Sequence, residues 1–564
     1  MQRARMAQIR AITTSVVATA VRAEIFALPR KHAHRPTRPL SSWPLDSDSW
    51  LLDFGSFLSL LVLLVLLVHF VPMDPYQKLL ERFKEVQLLK STSASLEWDE
   101  QTYLPKKAVH YRAEQLSYLA SKAHLLGTAP EVGEWISGCE QIGYPEDSDQ
   151  APNIFHWRHD YELATKLPVA FVEEFERTAA LAREAWKDAR QAAYFAGFQP
   201  HLEKMVNLSK QKADLFGYKA SPYDALLDQF EPGATVSYIR PLFTELKSAL
   251  VDLVHAISSK SSDPEPLAGH YPVSEQQAFN QLIATALGYD FESGRIDTTT
   301  HPFATSLGPN DQRITTRYDE KVFQMSLYGI MHETGHALYE QGLPKEAFGT
   351  PLGSAASLGI HESQSRLWEN HVGRSASFWD RWYPDAVRSL PDLKRFDPAT
   401  VIRGVQQVRP SLIRVEADEV TYDLHILLRF EVEVGLIEGT IAVRDLPALW
   451  NERFAELFGI KVPNDRLGVL QDIHWSMGAL GYFPTYTLGN LNAAQLMHRA
   501  STDIAGLNDS LVRGEYRPLL DWLRTKIHRH GRRYLPNDLM ARVTGEPTKA
   551  KYRIEYLREK YGRV

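Results

Sequence analysis

The stretch Tyr318 to Pro344 reads YDEKVFQMSLYGIMHETGHALYEQGLP, and the fold is decided by how it is read. Val322, Phe323, Met325, Leu327, Ile330, Met331, Ala337 and Leu338 recur at roughly helical spacing. Asp319 and Glu320 suit a helix N-terminus, and Gly342 followed by Pro344 reads as its stop. At the centre, His332-Glu333-Thr334-Gly335-His336 forms an H-E-x-x-H pentad. Positions i and i+4 of a helix share a face, so His332 and His336 are expected to point the same way and to share one metal ion. Neutral imidazoles at this spacing suit zinc, and Glu333 is placed to act as base on a water at the metal. The plainer alternative is a surface helix carrying two solvated histidines.

The sequence after Pro344 bears on a third ligand. Gly349, Pro351, Gly353 and Gly359 read as a loop, and a second helix begins near Ile360, IHESQSRLWENHVGR, ending around Gly373. A catalytic zinc usually has three protein ligands and one open position. A helix, a turn and a returning helix would set Glu362 beside His332, and Glu362 is the expected third ligand. His361, Glu369 and His371 are rivals. Glu369 lies two turns along the same face and could instead support a ligand from outside. Glu362 could simply pair with Arg366 at i+4.

From Met73 onward the pattern is overwhelmingly helical, as in Asp74 to Lys90, Phe171 to Ala196 and Val236 to Ser258. Turn clusters such as Gly143 to Pro152 and Ser261 to Pro266 separate the helices. Short extended pieces are expected only around Ile296 to Thr316, where Thr, His-Pro and Gly-Pro break the helical period. The expected class is therefore all-α, mostly helical with a very small β element. No phosphate-binding glycine loop and no nucleophile elbow occurs.

The 564-residue chain has a formal net charge of −6, which gives no general attraction to nucleic acid. Its one cysteine, Cys139, excludes an intrachain disulfide and a multi-cysteine metal site. Any metal must be held by His and carboxylate.

Residues 1–72 are set apart. Between Arg3 and Arg38 the basic residues face only Glu24, and Phe54 to Val71 reads FGSFLSLLVLLVLLVHFV. This basic segment with its apolar run 54–71 fits a membrane anchor, a targeting segment or a start-site artefact, since Met73 follows at once. Membrane contact is expected only if the run is a real anchor. Residues 73–564 are expected to form the catalytic domain.

HETGH followed by HESQS at this interval resembles the carboxypeptidase Taq family of zinc metallocarboxypeptidases. Six further stretches fit it: HPF at His301 to Phe303, DQRIT at Asp311 to Thr315, IRVEAD at Ile413 to Asp418, GVLQDIHW at Gly468 to Trp475, GYFPTYTLGN at Gly481 to Asn490 and IHRHG at Ile527 to Gly531. EWDEQTYLP at Glu97 to Pro105 fits as well. The likeness runs from about Met73 to Val564. It implies a two-lobed helical fold with a long substrate groove, resembling neurolysin and angiotensin-converting enzyme. It also implies a homodimer, a cytoplasmic location, one Zn²⁺ per chain (Co²⁺ or another divalent ion could serve), and peptide substrates with a free C-terminus.

Roles follow from chemistry. His332, His336 and Glu362 are expected to hold the metal and Glu333 to move the proton. An oxyanion needs a further donor, for which His474 and Tyr486 are candidates and Tyr482 a rival. A substrate carboxylate is best gripped by a guanidinium fork. Arg414 is preferred over Arg313; the plainer alternatives are pairs of Arg313 with Asp311 and of Arg414 with Asp418. His301 could shape the groove wall, and Gln471 and Asp472 could orient His474 or a metal ligand. Alternatives are a zinc oligo-endopeptidase with the same metal site, which would cleave peptides with a blocked C-terminus, and an inactive peptide-binding protein, against which an intact Glu333 argues.

Overall fold

The computed structural model describes residues 74–258 and 267–562. The apolar run 54–71 and the turn expected at Ser261 to Pro266 lie outside the described residues. Among those described, no helix is long and apolar enough to cross a membrane. The described residues fall within one compact unit, Met73–Val564.

Helices dominate this unit. The first, Pro75–Thr102, starts where Asp74 accepts a hydrogen bond from Tyr76 N, and it runs a dozen residues past the expected Lys90. It continues into the EWDEQT stretch because Trp98 is buried and Arg112 Nη2 reaches back to Asp99 at 2.7 Å. Val236–Ser258 matches its expected bounds, and the helix expected from Phe171 runs Val169–Ala192.

The extended pieces form one small sheet: β1 (Gly294–Thr298), β2 (Ala304–Gly308) and β3 (Asp311–Thr316), in the order β1-β3-β2. β1 runs parallel to β3, with Ile296 opposite Ile314, and β2 runs antiparallel to β3, with Thr305 opposite Arg313. Asn310, at φ 66°, turns the chain between β2 and β3, a conformation asparagine tolerates better than most residues. The buried Ile314 packs with Ile330 and Ala337, so the sheet is seated on the pentad helix.

Two large hydrophobic cores agree with a two-lobed fold. One gathers Tyr223, Phe243, Phe430, Trp450 and Trp475. The other gathers Phe279, Leu327, Met331, Ile360, Trp368 and Trp379. The helix Pro484–Asp503 joins them: Leu488 and Leu491 lie in the first core, Ala493 and Leu496 in the second. Burying a leucine side chain stabilises by about 1.5–3 kcal/mol, and this helix buries leucines in both cores. Such a helix is therefore a fixed strut, and it passes directly beside Glu362.

Candidate metal centre

The pentad helix runs Phe323–Gly342. It starts later than Asp319 and Glu320 suggested, because Asp319 folds onto Lys321 N at 2.8 Å in the turn before it. Its stop falls where Gly342 and Pro344 placed it. The returning helix, Leu358–Arg366, begins two residues before Ile360. Ser357 Oγ accepts from Ile360 N there. It then loosens into a π turn, Leu367–Gly373.

The two helices cross very closely. A Cβ on Gly335 would lie 2.5 Å from Ser365 Cα, so the fourth pentad position has room only for glycine. On the other side, a Cβ on Gly489 would lie 2.5 Å from Glu362 Cγ. Two glycines thus clamp the returning helix between its neighbours and fix the height at which Glu362 meets the histidines.

His332, His336 and Glu362 form a cluster whose donor atoms lie within 4.8 Å of one another. Glu362 Oε2 stands 3.5 Å from His336 Nε2 and 3.8 Å from His332 Nε2. A tetrahedral zinc with ligands at about 2.0–2.1 Å requires donor separations of about 3.3 Å, so these edges fit a small divalent ion after little movement. Two nitrogens and one oxygen, all from nearly buried side chains, are the donor chemistry of a catalytic zinc.

The other oxygen of Glu362, Oε1, accepts from Arg366 Nε at 2.7 Å. The pairing with Arg366 and the role of ligand are therefore not rivals, since each uses a different oxygen. Glu369 takes the outside position: its Oε2 is 2.9 Å from His332 Nδ1. Glu369 is itself held by Arg366 Nη1 at 3.2 Å and Arg374 Nη2 at 3.3 Å. This carboxylate orients the His332 ring and favours Nε2 as the ligating atom. His361 stacks on His336 at 4.4 Å between ring centroids and pairs with Glu340 at 3.0 Å, turned away from the cluster. His371 stacks on Tyr556.

Burial alone would lower His332, but the neighbouring Glu362 and Glu369 outweigh it and raise the ring, whereas the other groups suit a metal centre directly. Burial would push the carboxyls of Glu362 and Glu369 up, but Arg366 and the imidazoles outweigh it and hold both well below the usual range. Burial pushes His336 down to about 3, which keeps the ring neutral and free to ligate. Burial raises Glu333 to about 7, with the Glu362 charge adding to it. That value suits a group that must take a proton and return it.

The remaining expected residues fall into a second cluster. His474 and Trp475 open a short 3₁₀ turn, and His474 lies 5.4 Å from Tyr482 and 6.4 Å from Tyr486 between centroids. Burial lowers His474 to about 4, and its buried Nδ1 has no protein partner among the described residues. Tyr482 and Tyr486 meet edge to face at 5.3 Å between centroids, and burial raises both hydroxyls, with the Glu362 charge adding to the shift. These tyrosines therefore lie within electrostatic range of the metal cluster.

Arg414 does not pair with Asp418, which caps Thr421 instead. Its Nε and Nη2 grip Asp472 Oδ1 at 3.0 and 2.9 Å, and Nη1 donates to Tyr422 OH at 2.9 Å. Gln471 Oε1 accepts from Arg414 N at 2.9 Å, so Gln471 and Asp472 orient Arg414 directly. Arg313 has its fork on Asp311 at 2.8 Å and lies 4.5 Å above the Trp98 ring. His301 is exposed in the bend between β1 and β2.

Two supports went unread in the sequence. Glu231 accepts from Ser357 Oγ at 3.0 Å and Gly359 N at 2.9 Å, anchoring the start of the returning helix. His528, in IHRHG, lies 3.0 Å from Gln364 Oε1 in HESQ. The IHRHG stretch was visible, but nothing local tells which distant residue it meets.

A family model described as carboxypeptidase Taq (M32) metallopeptidase matches residues 78–561. The chain is 44% identical over 503 residues to thermostable carboxypeptidase 1 of Thermus thermophilus, covering 87% of this chain and 99% of that protein. It is 38% identical over 495 residues to carboxypeptidase 1 of Bacillus subtilis, covering 87% and 98%. Among solved structures, the M32 carboxypeptidase from Deinococcus radiodurans superposes with a TM-score of 0.83 at 39% identity, covering 87% of this chain and 99% of that one.

Proposed function

Because the chain belongs to the carboxypeptidase Taq family of metallopeptidases, and is thus a peptide hydrolase, we propose that it releases single C-terminal residues from peptides, with broad specificity, around a zinc ion held by His332, His336 and Glu362. The observation that carries this reading is one oxygen, Glu362 Oε2, facing both imidazole Nε2 atoms at 3.5 and 3.8 Å. A divalent ion bound there supplies Lewis-acid chemistry, polarising the scissile carbonyl and acidifying a water.

The chain's own residues do the rest. Glu333 takes the proton from the attacking water and passes it to the leaving amine. Glu369 holds His332 in one orientation throughout. Tyr486 and the neutral His474 donate to the developing oxyanion. Arg414 grips the substrate's terminal carboxylate. A guanidinium has five N–H donors; Asp472 and Tyr422 engage three, which leaves two for a fork onto a carboxylate. Arg313 and His301 contribute to the groove wall.

The test incubates the full-length protein with a peptide bearing either a free or an amidated C-terminus, with and without a chelator, and reads the products by mass. The free peptide should shorten one residue at a time, the amidated one should persist, and the chelator should stop the reaction. Internal cleavage of the amidated peptide would instead establish an oligo-endopeptidase. Turnover indifferent to the chelator would refute the metal reading.

A further inference from the structure

The π turn Leu367–Gly373 carries Glu369, and the chain's exit from it takes both usual helical donors away from the Asn370 carbonyl. In an α-helix Asn370 O would accept from Arg374 N, and in a continued π-helix from Ser375 N. Here Arg374 N goes to Glu369 O at 3.1 Å and Ser375 N to Val372 O at 3.2 Å. Asn370 is buried, and a buried carbonyl without a donor costs free energy comparable to a lost hydrogen bond.

The missing donors come from the helix Lys551–Tyr561, some 190 residues along the chain. Lys560 Nζ reaches Asn370 O at 3.0 Å and Tyr556 OH reaches it at 3.2 Å. Lys560 also donates to Tyr556 OH at 2.8 Å and pairs with Glu419 at 2.7 Å. Glu419 is fixed in turn by Arg553 at 3.0 Å and Tyr561 OH at 2.8 Å. The ring of Tyr556 stacks on His371, inside the same π turn, at 3.9 Å.

We propose that Lys560 and Tyr556 are positioning residues for the metal centre: by holding Asn370 O they stabilise the π turn that aims Glu369 at His332 Nδ1. The turn widens the helix locally, so its residues rotate less about the axis than α-helical ones. Glu369 therefore falls behind the face that Glu362 occupies and meets His332 on the ring edge opposite the metal. Let the turn relax to α, and Asn370 O recovers an internal donor while Glu369 leaves the imidazole. The helix Lys551–Tyr561 thus sets a register, and metal affinity reads it out.

The proposal rests on the zinc reading above, and its test separates the two. Zinc affinity is measured by chelator competition on the full-length protein, for wild type, Lys560→Met, Glu369→Gln and the double variant. The visible spectrum of each cobalt-loaded protein and each thermal midpoint are recorded alongside. Loss of an outer carboxylate partner typically weakens metal binding about 10- to 100-fold, which is the expectation for Glu369→Gln. Lys560→Met should weaken binding by a smaller factor and shift the cobalt bands in the same direction. Added to Glu369→Gln, it should cost little more, because both act through one carboxylate. Tyr556→Phe removes only a hydroxyl and answers the same question if Lys560→Met fails to fold. Wild-type affinity and cobalt spectrum in a folded variant, or additive losses in the double variant, would overturn the positioning role alone. A wild-type protein that binds neither ion would overturn the zinc reading and this inference with it.

Discussion

Two arginines meet the same tyrosine, and their surroundings differ in charge balance. Arg366 lies 4.5 Å from the Tyr422 ring centroid, and Arg414 donates to the Tyr422 hydroxyl. Around Arg366, the carboxylates Glu362 and Glu369 are matched by the guanidiniums Arg366 and Arg374, with the imidazoles of His332 and His336 beside them. Around Arg414, two guanidiniums, Arg414 and Arg429, share the single carboxylate Asp472. The first cluster brings two imidazoles and a carboxylate oxygen to one point, and the second, with two guanidiniums for one carboxylate, is short of an anion. Buried charge left unbalanced is costly, so the second cluster favours a ligand of opposite sign, while the first offers a convergent set of metal donors. In the proposed function a divalent ion joins the first and a peptide's terminal carboxylate the second. The difference teaches that the site is polarised before any ligand arrives, with a cation pole and an anion pole joined through Tyr422.

The largest expected effect tests the cation pole. Glu333→Gln should lower kcat by about 10²- to 10⁴-fold, the usual worth of a positioned base, while the bound metal stays at wild-type stoichiometry. Unchanged turnover would remove Glu333 from the chemistry. Next comes the anion pole. Arg414→Lys keeps the charge but loses the fork, and should reduce kcat/KM on free-carboxylate peptides roughly 10- to 100-fold, the range for charged hydrogen bonds. Its metal affinity should not change. A variant that lost metal but kept KM would show that the two poles are not separate.

The smallest effect concerns the anchor beneath the first pole. Burial raises Glu231 to about 7 from 4.5, so the folded state binds its proton more tightly than the unfolded state does. Its stabilising contribution is then present below about pH 4.5 and is lost as pH rises through 7. From pH 5 to 8 the thermal midpoint of wild type should fall relative to that of Glu231→Gln, whose amide can still accept from Ser357 and Gly359. Parallel curves for the two proteins would show that Glu231 does not titrate in this range.

Much of the cation pole was legible in the sequence because helical spacing is local. The i, i+4 rule placed His332 and His336 on one face, and a helix-turn-helix count brought Glu362 to them. Even the ambiguity between ligand and Arg366 partner was visible, and the structure shows that the two are compatible, since Oε2 faces the imidazoles and Oε1 faces Arg366. The small β element was legible from broken periodicity at 296–316. The anion pole was read less well. Arg414 was weighed against Asp418 because that pairing is local, whereas its partner Asp472 lies 58 residues away. Glu231 with Gly359, His528 with Gln364 and Lys560 with Asn370 are all separated by more than 120 residues. Such partners are chosen by packing between elements, and no short pattern encodes them. The glycines at 335 and 489 show the same limit: each is needed because of a neighbour that only the fold brings near.

The most direct test of the account is metal content after dialysis, measured by mass spectrometry on the full-length wild type and Glu362→Ala, with helical content checked by circular dichroism. The account predicts close to one zinc per chain in wild type and almost none in a variant that keeps its helices. A folded Glu362→Ala protein that still held zinc at wild-type stoichiometry would contradict it.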